Sequence, residues 1–211
     1  MKIFLEAKAW QLFVLLLGLP LLAQIFAMSA VFSRINHADF DQTSRSLLLS
    51  LGFSFGVGII AAATQFGWMW SIGKYLHSLL PDGVRMNGRL FRLALAVPLV
   101  VGLLGLAFAA WVLSHIFNDT ETGLELQLEP LPFLLPFLSI FMLLGLLSFV
   151  ALLFAYYFCG KSLKSIELGR EALLGDWIGE ACLVWLSFVG VWILQPRIQK
   201  VLKNKIADEV I

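Results

Sequence analysis

The stretch that decides the fold runs from residue 181 to residue 196 and reads Ala181-Cys-Leu-Val-Trp-Leu-Ser-Phe-Val-Gly-Val-Trp-Ile-Leu-Gln-Pro196. It contains no charged residue, and it is flanked by Glu180 and Arg197. A helix of this length rises about 24 Å, which is less than the ~30 Å hydrocarbon core of a bilayer. We therefore expect the stretch to turn back or to stay shallow rather than to cross the membrane.

The tryptophans around this stretch support the same expectation. Trp177, Trp185 and Trp192 are spaced so that they fall on one helical face, and tryptophan favours the headgroup level of a membrane. The alternative is that residues 177–194 cross as a fifth helix, with the Glu180 side chain reaching back to the surface.

Composition requires lipid as the solvent for most of the chain. Of the 211 residues, 60% are hydrophobic and only 14% are charged, whereas a soluble protein has about a quarter charged residues. The two cysteines and three histidines show no metal-ligand or redox spacing. The sequence therefore predicts no catalytic residue, no metal site and no cofactor, and nucleic acid is not an expected partner.

Four uncharged runs reach the ~20 residues that a membrane-spanning helix needs. They are residues 9–33, 46–73, 93–118 and 130–160. The first exceeds the ~7–15 residues of a signal-peptide core, so we interpret it as a retained helix. The predicted fold is all-α: a bundle of four transmembrane helices within residues 1–160, plus a C-terminal re-entrant or interfacial segment. Residues 161–211 would add a cytoplasmic amphipathic helix, the short apolar stretch and a basic tail to the same membrane domain. Five transmembrane helices are the alternative.

Lysines and arginines orient this arrangement. With a cytoplasmic amino terminus and a stretch 181–196 that does not cross, thirteen of them lie inside and two outside. If the stretch crosses, the division becomes nine against six. The connection 119–129 carries four acids and no base, and it falls outside. The chain is accordingly expected in the bacterial inner (plasma) membrane.

The C-terminal segment resembles a known class of protein. Asp176-Trp-Ile-Gly-Glu180, an aromatic apolar run and then Trp192-Ile-Leu-Gln-Pro-Arg197 are similar to the carboxyl end of small multi-spanning bacterial membrane proteins that lack an assigned activity. The resemblance covers about residues 165–200 and implies a membrane location, without catalytic residues.

Small residues in the second run predict close helix packing. Gly52 and Gly56 form a GxxxG pair, and Ser54 with Gly58 forms an offset second one. Packing inside the bundle and association with a second copy of the chain are both consistent with this spacing.

Charged residues beside the membrane are the candidate interaction residues. On the C-terminal side they are Glu167, Glu171, Asp176, Glu180 and Arg197, and in the second connection they are Arg85, Arg89 and Arg92. The acids form either a solvated face or a surface that docks to a basic partner. The three arginines share a helical face and are expected to contact anionic lipid headgroups or to pair with these acids.

The four runs carry no ionisable residue at depth, which argues against a proton-coupled carrier, an intramembrane protease or a haem-bearing bundle. The first functional hypothesis is a non-enzymatic membrane subunit or scaffold, with a membrane protein partner or a homo-oligomer. A small-solute or lipid transporter or channel, with the glycine-rich second run lining a path, is the second. A membrane-surface enzyme that uses Asp176 and Glu180 is the third.

Overall fold

The computed structural model describes residues 2–35, 40–81, 83–119 and 131–208, and these residues form helices joined by short turns. The helices are α1 Lys2–Glu6, α2 Ala9–Phe13, a π-helical turn Val14–Gly18, α3 Leu19–Ile35, α4 Phe40–His77, α5 Gly88–Asp119, α6 Leu131–Leu168, α7 Leu174–Trp185 and α8 Ser187–Asp208. Most of the acidic connection, residues 120–130, lies outside the described residues.

Four of the helical segments are long and apolar enough to cross a membrane. They are Ala9–Ala30, Gly52–His77, Gly88–Trp111 and Pro136–Leu168. A helix satisfies its backbone hydrogen-bonding groups internally, which lipid cannot do, so long Leu-, Ala- and Phe-rich runs adopt this form. The predicted all-α fold with four spanning helices is confirmed, and the chain is a multi-pass membrane protein.

The first span contains a local departure from α-helical geometry. The Leu19 N–H donates to the Val14 carbonyl, five residues back, across the π-helical turn. Pro20 follows directly, and a proline ring clashes with the carbonyl four residues before it in a regular α-helix. The wider turn relieves that clash.

The described chain divides into two compact units. The first comprises Met1–Met86 with Tyr156–Ile211, and the second comprises Asn87–Ala155. The first two spans thus belong with the C-terminal segment. In this first unit, α3 lies along α4, and α8 packs against α1, α2 and the π-helical turn.

The second unit holds the third span and most of the fourth. Gly105 lies against the ring of Phe141, and a Cβ at Gly105 would come within 2.7 Å of that ring. Phe108 stacks on Phe137 with ring centroids 3.8 Å apart. Aromatic stacking against a small residue therefore joins α5 to α6 within this unit.

The stretch 181–196 does not form one helix. α7 ends at Trp185, Leu186 has φ −83° and ψ 54°, and α8 begins at Ser187. Glu180 and Arg197 would be about 25 Å apart along a continuous helix, yet the Arg197 Nη2 donates to the Glu180 Oε1 at 3.0 Å. The chain therefore turns back on itself, which excludes a fifth crossing. We refer to α7 and α8 together as the hairpin.

Candidate functional site

The turn of the hairpin depends on one glycine. Gly190 is buried in the first part of α8, and a Cβ built on it would lie 1.8 Å from the Leu183 carbonyl oxygen. The end of a flexible side chain could move to relieve such an overlap, but a backbone oxygen of a helix cannot. The two helices can therefore approach this closely only because residue 190 has no side chain.

A second glycine fixes α7 against α6. A Cβ on Gly160 would lie 2.7 Å from the backbone nitrogen of Ala181. Gly160 is the last residue of the uncharged run of the fourth span, so the uncharged stretch of α7 begins at the same level. Gly169, with φ +63°, ends α6 and reverses the chain between these helices.

At the start of α7, side-chain oxygens accept hydrogen bonds from backbone N–H groups. The Ala172 N–H donates to the Ser165 Oγ at 3.1 Å, and the Leu173 N–H donates to the Asp176 Oδ2 at 3.1 Å. Asp176 also lies in the first turn of α7, where a negative charge interacts favourably with the helix dipole. This acid stabilises the helix start.

Four charged residues meet where the hairpin joins α6, and we call them the charged base: Lys164, Glu167, Glu180 and Arg197. The Arg197 Nε donates to the Glu167 Oε1 at 2.8 Å, and its Nη2 donates to the other oxygen of the same carboxylate. Arg197 Nη2 and Lys164 Nζ both donate to the Glu180 Oε1, at 3.0 and 3.3 Å. Two acids and two bases from α6, α7 and α8 thus form one network of charge-assisted hydrogen bonds.

The charged base favours the ionised forms of Glu180 and Arg197. Burial raises the pKa of Glu180, but the hydrogen bonds from Arg197 and Lys164 outweigh it, so this pKa lies below its ordinary value. The pKa of Arg197 is raised, chiefly by its bond to Glu167. Glu180 is only 8% exposed, so its charge depends on these partners rather than on water.

Two further ion pairs lie at the surface of the same segment. Lys161 Nζ is 2.7 Å from Glu171 Oε1, and Arg170 Nη2 is 3.2 Å from Asp176 Oδ2. The Glu171 and Arg170 side chains are more than half exposed. Such pairs contribute at most about 1 kcal/mol, so they matter less than the charged base.

Gln195 forms a second network, which joins the two ends of the chain. Its Oε1 accepts from the Trp68 Nε1–H at 3.0 Å, and Gln195 itself is 1% exposed. Its Nε2 lies 3.0, 3.0 and 2.9 Å from the carbonyl oxygens of Phe4, Leu5 and Ala7.

These carbonyls lie at the end of α1 and in the bend that follows it. The last carbonyls of a helix have no partner within the helix, and here the Gln195 and Gln199 amides donate to them together. The amino-terminal segment and the start of the C-terminal tail consequently lie side by side at the beginning of the first span.

The acids predicted as interaction residues are therefore brought together with cations of their own segment. Glu167, Glu171, Asp176 and Glu180 each have a basic partner between residues 161 and 197. This geometry favours a structural role for them over docking to a basic partner.

The arginines and glycines predicted as interaction and packing residues are exposed: Arg85, Arg89, Arg92, Gly52, Gly56 and Gly58. A Cβ built at each of these glycines meets no atom of the described residues within 4 Å.

Sequence reasoning named Glu167, Glu180 and Arg197 of the charged base, but it did not name Gly160, Lys164, Gly190 or Gln195 as site residues. Gln195 was a detectable signal, because it is the only amide in an otherwise apolar stretch. Gly190 lies at the middle of that stretch and was a second signal. Lys164 and Gly160 carried none, since their roles depend on contacts with residues 16 to 21 positions away.

The comparisons with known proteins add no relative. The sequence matches no protein-family model, and neither the curated proteins nor the solved structures gave a significant match. The resemblance of the C-terminal segment to small bacterial membrane proteins stays a prediction.

Proposed function

We propose that this chain is a non-enzymatic integral membrane subunit or scaffold that associates through its second span with another membrane protein or with a second copy of itself. The observation that carries this proposal is the exposed small-residue face of α4. Gly52 and Gly56 lie on this face with open space over them within the described part of the chain, and Gly58 is open on the offset side of the helix. Lipid tails fill such a face poorly, whereas a second helix approaches it closely.

The surroundings of this face favour a partner helix over a solute path. The exposed residues between and after the glycines include Phe53 and Phe55, which are 58% and 53% exposed, and Ile59 and Ile60, which are 46% and 49% exposed. A path for polar solutes needs polar lining groups, and these side chains supply none. The surface suits an apolar helix.

The charged segment supports a structural role in the same way. Asp176 and Glu180, on which a surface enzyme would depend, are held by Arg170, Arg197 and Lys164. A catalytic acid needs a position from which it can exchange a proton with substrate. Here the carboxylates stabilise the start of α7 and the base of the hairpin.

We place the protein in the bacterial inner membrane with both termini in the cytoplasm. The distribution of lysines and arginines supports this orientation, and the Gln195 network supports placing both ends on one side. The exposed Arg85, Arg89 and Arg92 would then face anionic headgroups of the cytoplasmic leaflet.

A photo-crosslinking amino acid at Leu49 tests the partner surface. Leu49 is 77% exposed and precedes Gly52 by three residues, which places it on the same helical face as Gly52 and Gly56. In native membranes we expect a discrete protein adduct, and we expect Gly56→Leu to reduce its yield about tenfold, because a leucine keeps the helices apart.

Gly145→Leu is the matched control, since Gly145 is exposed with open space around it but lies on the fourth span. It should leave the adduct unchanged. A chain that crosslinks only to lipid, or a Gly56→Leu variant with full adduct yield, would contradict the proposed subunit role.

A further inference from the structure

The tip of the hairpin is an exposed surface made mainly of apolar side chains, and its side-chain polar groups are the Ser187 hydroxyl and the indole N–H groups of Trp185 and Trp192. Six large apolar side chains around the turn are between 40% and 58% exposed. They are Trp185, Leu186, Phe188, Val189, Trp192 and Ile193. Exposure of this extent in water would cost the folded state several kcal/mol, so something apolar covers it.

Charge divides the hairpin into two ends. Glu180 and Arg197 lie in the charged base, and no charged residue lies between them. Gly160, at the end of the uncharged run of the fourth span, contacts Ala181, so apolar sequence begins at one level in α6 and α7. The charged base therefore marks the headgroup level, and the tip points away from it into the hydrocarbon.

The reach of the hairpin is less than one leaflet. From Glu180 to Leu186 the α7 helix rises about 9 Å, and from Ser187 to Arg197 the α8 helix rises about 15 Å. Because both arms start at the charged base, the shorter arm limits the depth of the tip to about 9 Å. Half of the ~30 Å hydrocarbon core is ~15 Å, so the tip stays within one leaflet.

The first span gives an independent measure of depth. Gln195 bonds the carbonyl of Ala7, which is two residues before the first span begins at Ala9. Further along the hairpin, the ring of Trp192 lies 5.7 Å from that of Phe13, and α8 also contacts the π-helical turn Val14–Gly18. The first span ends at Ala30, so α8 follows only its first half.

This packing makes the hairpin continuous with a lipid-facing surface. Trp10 and Val14 of the first span are 52% and 43% exposed beside the side chains that α8 contacts. Lipid that covers the first span would therefore cover the hairpin tip as well.

From these observations we infer that the hairpin is a lipid-binding element that inserts into the acyl chains of the leaflet next to the charged base and ends within that leaflet. The partner of this surface is hydrocarbon of that single leaflet. The inference is independent of the proposed subunit role, because it concerns a different face of the first unit.

Spin-label accessibility in liposomes measures this depth directly. In the full-length chain with Cys159→Ala and Cys182→Ser, a label is placed at Val189 in the tip. The references are Leu21, which is 53% exposed near the middle of the first span, and Lys200, which is exposed beyond the charged base. We expect the Val189 label to resemble Leu21 rather than Lys200, with high collision rates with oxygen and low rates with a water-soluble nickel chelate, and Lys200 to show the reverse.

Two results would overturn the inference. A Val189 label that collides with the nickel chelate as often as Lys200 does would place the tip at the surface. A label with low collision rates for both reagents would mean that protein covers the tip. A failure of the crosslinking experiment at Leu49 would leave this measurement unaffected, so the two proposals fail separately.

Discussion

Replacing Gly190 with alanine is expected to destabilise the protein by about 3 kcal/mol, because the new methyl group forces α7 and α8 apart. The new Cβ would lie 1.8 Å from the Leu183 carbonyl oxygen. That oxygen, and the Cα that carries the Cβ, both belong to helix backbones. Separation of the helices also strains the contact between Glu180 and Arg197. The free energy of unfolding in mixed detergent micelles, from a titration with denaturing detergent, measures the loss.

Gly179→Ala is the matched control for this prediction. Gly179 lies in α7 of the same hairpin, but a Cβ there meets no atom of the described residues within 4 Å. Alanine in an open helical position stabilises by about 0.5–1 kcal/mol relative to glycine. The two substitutions should therefore have opposite signs, and equal stabilisation by both would show that the helices do not approach closely at Gly190.

The second large effect is expected from Gln195→Leu. Leucine fills similar space, but it leaves the Trp68 N–H and the carbonyl of Phe4 without the partner that they have in the native chain. A buried polar group that loses its partner costs about 1–3 kcal/mol, so a total of about 3 kcal/mol is expected. Amide hydrogen exchange should also speed up across residues 4–12, since α1 and α2 lose their attachment to α8.

Gln199→Leu provides the comparison, because Gln199 bonds the Ala7 carbonyl at 3.1 Å, and that carbonyl keeps Gln195. Its effect should stay near 1 kcal/mol. A double-mutant cycle between Gln195→Leu and Trp68→Phe should give a coupling energy of about 1 kcal/mol. Strictly additive effects would mean that the Trp68 bond contributes nothing.

The reversal of the C-terminal stretch was predictable because length and charge constrain it. Sixteen uncharged residues are too few to cross, and the cations of the tail belong with those of the second connection. These arguments depend only on whether each residue favours water or lipid, and not on which residues are in contact. They therefore predicted the number of crossings, but they did not predict the position of the hairpin turn.

The partners of the acids could not be predicted from the sequence. Helical periodicity shows which side chains share a face, but it does not give the distance between faces of different helices. The second-connection arginines were considered as partners for the acids on this basis. In the structure Glu167 binds Arg197, thirty residues away, because the chain reverses at Gly169 and again at Leu186.

Glycine illustrates the same limit. Gly52 and Gly56 carry a recognised packing spacing and are open to their surroundings, whereas Gly160 and Gly190 carry no such spacing and make the closest backbone contacts. A spacing motif shows where a helix face consists of small residues. Whether that face is used within the chain depends on the tertiary arrangement.

The distance between spin labels at Gly179 and Lys200 tests the central claim most directly. Both positions are exposed, and they lie beside the charged base, Gly179 in α7 and Lys200 in α8. With Cys159→Ala and Cys182→Ser in the background, the chain reversal predicts a narrow distribution below about 20 Å in liposomes, because the charged base brings the two ends together. A distribution centred at about 30 Å, the rise of one continuous helix between these residues, would contradict the account.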